Sequence, residues 1–105
     1  MFAMCGKLTT KPGKRGEFVQ ILRQAAAIVA QMAGCRMYLV TESLDNADVI
    51  HVLELWESAE AHEASLQDEA VRGLIGQAMP LLGGASAGSR LRVVGGFGAE
   101  GAGED

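Results

Sequence analysis

Residues 34–58, GCRMYLVTESLDNADVIHVLELWES, read as an extended hairpin whose strands are apolar on both faces. In the second arm Val49, His51, Leu53 and Leu55 point one way, and Ile50, Val52, Glu54 and Trp56 point the other. A sheet with one wet face alternates apolar and polar residues. This one does not, so each side needs a cover.

The flanking segments supply cover for one side. Met1 to Thr10 alternates as a strand, with Phe2, Met4 and Leu8 on one side and Ala3 and Cys5 on the other. Lys11-Pro12-Gly13 signals a turn. From Lys14 to about Met32, Phe18, Ile21, Leu22, Ala25, Ile28, Val29 and Met32 recur at the spacing of one buried helical stripe, which Gly34 stops. Strands follow over about Cys35–Leu44 and Val49–Glu57, around the polar turn Asp45-Asn46-Ala47-Asp48. Ser58 caps a short helix ending near Leu66, with Glu60 and Glu63 in its first turns. Asp68 caps another, with Val71, Leu74, Ile75, Ala78 and Met79 on one face, and Pro80 ends it. Gly83 to Gly88 reads as a loop and Ser89 to about Gly95 as a last strand. Residues 96–105 read as a loose, glycine-rich acidic tail.

The order β-α-β-β-α-α-β over residues 1–95 predicts an α+β, ferredoxin-like split βαβ domain. Its four-stranded antiparallel sheet carries helices on one face. The bare face then needs a second copy of the chain, as in a dimeric α/β barrel. A homodimer through the sheet is therefore expected.

Composition narrows the function classes. The chain has 105 residues, 49% apolar and 21% charged, which fits one globular domain and excludes a disordered chain. Net charge is -4, and the densest basic group, Lys11, Lys14 and Arg15, is too short for a nucleic-acid footprint. No apolar run approaches the roughly 18 residues of a membrane span. No export signal is visible at the start, so a cytoplasmic location with reduced thiols is expected. Cys5 and Cys35 read as small strand hydrophobes, with a disulfide or a reactive thiol as the alternatives, and no cysteine or histidine spacing suggests a metal.

A few residues can carry chemistry. Glu54 interrupts an apolar row, and a carboxylate there needs a partner. It is either a general base or half of an ion pair with Arg36, Arg90 or Arg92. His51, the only strand histidine, either takes a proton or is hydrogen-bonded within the core. Trp56 either stacks on a ligand or packs, and Tyr38 offers a ring and a hydroxyl. Met4, Met32, Met37 and Met79 line an adaptable pocket or fill the core. His62, flanked by Glu60 and Glu63, reads as a surface residue. Hairpin register decides what Tyr38 meets. A four-residue loop pairs Leu44 with Val49 and sets Tyr38 opposite Leu55, whereas a loop one residue longer or shorter sets it opposite Glu54.

Several segments together resemble the antibiotic biosynthesis monooxygenase family. They are Lys11-Pro12-Gly13 after the first strand, Phe18 early in the first helix, and Gly34-Cys35 followed by Tyr38. Ser43-Leu44-Asp45 at the hairpin, Glu54 two residues before Trp56, and Trp56-Glu57-Ser58 leading into Glu60-Ala61 complete the set. The resemblance spans roughly residues 1–94 and implies a dimeric α/β barrel. It also implies, as in the oxygenases of that family, chemistry without flavin, haem or metal. There an electron-rich phenol or quinol loses a proton and reacts with dioxygen itself. By that resemblance the chain is expected to oxidise a small aromatic phenol or quinol with no cofactor. Its pocket is expected between sheet and helices, with His51 and Glu54 catalytic and Tyr38, Trp56, Met37 and Arg36 binding substrate. The alternative is a non-catalytic dimer of the same fold that binds a small ligand. Ser65 and Ala70 favour it, since they stand where quinol-oxygenase-like members carry histidines. Gly6, Ser65 and Ile75 stand where haem-degrading members carry asparagine, tryptophan and histidine, so the resemblance does not extend to haem degradation.

Overall fold

The computed structural model describes residues 1–98. The expected acidic tail therefore lies, from residue 99 on, outside the described residues. The elements are β1 (Phe2–Thr9), α1 (Arg15–Val29), β2 (Cys35–Glu42), β3 (Val49–Trp56), α2 (Ala59–Ser65), α3 (Glu69–Ala78), a 3₁₀ turn (Met79–Leu81) and β4 (Ala87–Arg92). The strands form one sheet in the order β2-β3-β1-β4, with every neighbouring pair antiparallel. This is the expected ferredoxin-like α+β fold.

Local chemistry sets the boundaries. α1 ends at Val29, before the expected Met32, because a tighter turn begins there: the Met32 amide donates to the Val29 carbonyl at 2.9 Å. Gly34 then takes φ +88°, and a Cβ there would stand 2.8 Å from Cβ of Ala61. Both the backbone angle and the seating of α2 therefore require glycine. Ser58 caps α2 by accepting from the Ala61 amide, and Asp68 caps α3 by accepting from the Val71 amide. β4 starts at Ala87, two residues before the expected Ser89. The Gly83 amide already bonds the Thr9 carbonyl at 2.9 Å, which lays the returning chain beside β1 early.

The hairpin takes the register that sets Tyr38 opposite Glu54. Its loop is one residue longer than the four-residue turn. The Ser43 hydroxyl accepts from the amides of Asp45 and Asn46, both at 3.1 Å, so the chain turns from Ser43 and leaves Leu44 fully exposed. Arg15, at the start of α1, donates to the carbonyls of Ser43, Asn46 and Val49 and pairs with Glu42 at 3.2 Å.

The core lies between the sheet and its helices. One buried cluster joins Phe2 and Trp56 to Val29 of α1 and Val71 of α3; the other joins Ile50 and Val52 to Phe18 and Ala78. The opposite face carries Met37, Leu39 and Leu91, which are 36%, 46% and 48% exposed. The strands are thus apolar on both faces, and the helices cover one.

Candidate functional site

The strand register puts Met4, Glu54 and Tyr38 in one row across β1, β3 and β2, on the helix-facing side. Trp56 lies two residues along the same face of β3 and is fully buried. Its indole N–H donates to Oε1 of Glu54 at 3.0 Å. A charge-assisted bond of this kind offsets part of the cost of taking a carboxylate out of water.

His62 closes the other side of the group. Its Nε2 stands 3.7 Å from the same Oε1, and the two side chains are only 11% and 14% exposed. The imidazole sits 5.3 Å from the Phe2 ring and 5.9 Å, edge-on, from Trp56. The surface position expected of His62 is therefore corrected. Ala59, His62 and Ser65 recur at three-residue spacing, so the Ser58 cap fixes a helical phase that turns His62 inward. That spacing was the available signal, masked by the flanking glutamates.

Glu54 and Tyr38 face a cavity of about 270 Å³ between the sheet and the helix pair α1 and α3. Phe18, Leu22 and Ala25 wall it from α1, and Val71, Leu74 and Ala78 from α3. The polar side chains in the lining are Tyr38, Glu54, Ser65 and Ser86. The Ser65 hydroxyl already donates to the His62 carbonyl at 2.5 Å. A ligand in the cavity is thus met chiefly by one carboxylate and one phenol.

Burial pushes the Tyr38 phenol well above its ordinary range, and the Glu54 and Cys35 charges push it the same way. Tyr38 accordingly stays protonated and can donate to a ligand oxygen. The Cys35 thiol is likewise pushed up, first by burial and then by Glu54, which makes it a poor nucleophile.

The remaining expected residues lie elsewhere. His51 projects from the opposite face of the sheet to Glu54, in register with Lys7 and Thr41. Strand alternation forbids the two from lining one pocket. Met37 lies on that same opposite face, at 36% exposure. Arg36 sits at the irregularity between Cys35 and Met37 and meets Glu57 at 3.6 Å. Of the methionines, Met79 lines the cavity and Met32 packs on the Phe2–Trp56 cluster. Trp56 stands behind Glu54 as its anchor. Among the described residues, no three His, Cys, Asp or Glu side chains group to hold a metal ion. No helix among them is long and apolar enough to cross a membrane.

Comparison with known proteins agrees with this fold. A family model described as antibiotic biosynthesis monooxygenase matches residues 1–76. A crystal structure from Chloroflexus aurantiacus J-10-fl, provisionally assigned as such a monooxygenase, is 32% identical, with 92% of this chain and 96% of that chain covered and a TM-score of 0.83. One from Caulobacter crescentus CB15, assigned in the same way, is 27% identical over 86% of each chain, with a TM-score of 0.81. A third, from Nitrosomonas europaea, is 13% identical and shares the fold, covering 95% of this chain and 93% of that one at a TM-score of 0.85. No curated protein matches this sequence.

Proposed function

Since the chain belongs to the antibiotic biosynthesis monooxygenase family, we propose that it oxidises an aromatic phenol or quinol with dioxygen and without a cofactor. The observation that carries this reading is Glu54, a carboxylate tied to the Trp56 indole at the edge of an apolar cavity beside a protonated Tyr38. Glu54 takes the proton of the bound substrate as general base. Tyr38 donates to a substrate oxygen and so favours the anion. The electron-rich anion then reacts with dioxygen inside an apolar wall that shelters the intermediate. For a ring CH₂ group, both hydrogens end in water, one oxygen atom becomes the carbonyl and the other joins that water.

In this reading Glu54 alone is the base, and His62 packs beside it with Nε2 3.7 Å from Oε1. His51 and Met37 belong to the contact with a second copy of the chain, formed by the open face of the sheet. Oxygen uptake with a panel of anthrones and quinols tests the proposal. Uptake above the buffer rate that falls at least about a hundredfold in Glu54→Gln supports it. No uptake with any member contradicts it. The second reading, a dimer that binds such molecules without oxidising them, draws on Ser65, whose hydroxyl is engaged within its own helix where a histidine would be free to act. Binding without uptake selects that reading.

A further inference from the structure

Two groups of the chain meet one oxygen of Glu54. Its Oε1 accepts from the Trp56 indole at 3.0 Å, and Nε2 of His62 stands 3.7 Å from the same atom. That second separation is within ion-pair reach but longer than a hydrogen bond. His62 comes from α2 and packs against the Phe2 ring at 5.3 Å and the edge of Trp56 at 5.9 Å. It is not among the residues that line the cavity of about 270 Å³, whereas Glu54 is. A ligand in that cavity therefore meets Glu54 and not His62.

A carboxylate by itself is a weak sink for the proton of a phenol. Ordinary phenols ionise at about pH 10 and carboxyls at about pH 4, so the transfer runs uphill by about six pH units. An ordinary imidazole, at about pH 6.5, reduces that climb by about two units. Passing the proton on also restores the carboxylate, which then faces an imidazolium across a charge-assisted contact. The other charged and titratable groups near the pair offer no such sink. Tyr38 and Cys35 both hold their own protons more tightly than usual. Arg90 of β4, over the Phe2 ring at 5.5 Å, is a permanent cation. Glu60 and Glu63, on the same helix as His62, are exposed.

We propose that Glu54 and His62 form a dyad that holds the substrate proton: His62 receives it from Glu54, keeps it while the ring anion meets dioxygen, and returns it by the same path. The proposal rests on the reading of Glu54 as the base. His62 touches no substrate and is a positioning residue for the proton. In the first step the O–H bond of the ligand breaks and a carboxyl O–H bond forms. In the second that O–H bond breaks and the lone pair of Nε2 takes the proton. The products are a carboxylate, an imidazolium and the ligand anion, with no change in net charge. A swing of the imidazole by about one ångström or less closes the 3.7 Å gap to hydrogen-bond length. The stored proton is then at hand for the reduced oxygen, which leaves as water.

The chain has two histidines, and His51, on the opposite face of the sheet, serves as the internal control. Nitrogen NMR of the histidine-labelled full chain, titrated with 4-chlorophenol at a fixed pH where the ligand-free His62 ring is neutral, tests the dyad. Binding is expected to convert His62 from the neutral to the imidazolium signature and to leave His51 unchanged. In Glu54→Gln the response of His62 should be lost. His62→Gln is expected to lower kcat for anthrone oxygen uptake by about tenfold or more with KM level, a split that loss of packing alone does not produce. If His62→Gln melts well below the wild type, the wild-type spectra decide. A His62 ring that stays neutral with 4-chlorophenol bound overturns the dyad, and the Glu54 reading stands where Glu54→Gln still loses oxygen uptake. A His62 response that survives in Glu54→Gln, or no binding of 4-chlorophenol, also overturns the dyad.

Discussion

In the proposed reaction Glu54 is the residue on which the chemistry turns, and its surroundings supply one firm donor, the Trp56 indole. Replacing Trp56 by Phe keeps most of the packing and removes that donor. A buried group left without its partner costs about 2 kcal/mol, so Trp56→Phe should lower stability by that order in urea unfolding followed by circular dichroism. Tyr38 offers a second check at this scale. It is the only tyrosine, so phenolate absorbance reports on it alone. Burial, reinforced by Glu54, holds its proton more tightly in the folded chain than in the unfolded one. The contribution to stability is therefore level below the ordinary phenol range near pH 10 and falls as pH climbs past it. Phenolate should form only at that alkaline edge, as the protein unfolds, and Glu54→Gln should let it form at lower pH. The sequence made Glu54 and Trp56 legible because a lone carboxylate and a lone indole stand out in an apolar strand. It hid His62, because two flanking glutamates look like a solvated face while only the helical phase turns the imidazole inward.

Among the elements, the hairpin shows how much one residue of loop decides. Strand alternation alone placed Glu54 and Trp56 on one face and His51 on the other. It did not place Tyr38, because either register satisfies an apolar pattern on both faces. The deciding contacts are polar and come from outside the strands: the Ser43 hydroxyl that begins the turn, and the Arg15 guanidinium that gathers three loop carbonyls. Such contacts join positions distant in sequence, and periodicity carries no trace of them. Arg15→Ala should accordingly cost about 1–2 kcal/mol, given its partial exposure. It should also loosen the loop, seen as faster amide exchange at the hairpin tip than in β1. At α2 the Ser58 cap has a similar role, since it holds the helix that brings His62 to Glu54. Ser58→Ala should cost about 1 kcal/mol and shift Trp56 fluorescence, because the imidazole beside the indole moves with the helix.

At the scale of the whole molecule, the proposal gives the two faces of the sheet separate tasks. The helix-facing side holds the cavity and its carboxylate. The other side shows Met37, Leu39 and Leu91 to solvent in the single chain. An apolar patch of that kind marks an interaction surface, and the proposed occupant is a second copy of the same sheet. The fold was readable because every element carried its own signal: apolar stripes in the helices, caps at Ser58 and Asp68, and a proline that closes α3. The site was readable only in part. A cavity forms from elements that meet in space, and Tyr38 comes beside Glu54 only once β2 and β3 pair in this register. The division of the sheet between a ligand face and a partner face underlies each functional assignment, and sedimentation equilibrium at low micromolar protein measures it directly. The account predicts the mass of two subunits, reverting to one when Leu39 and Leu53 are both replaced by lysine. A wild-type chain that sediments as a folded single subunit would contradict it.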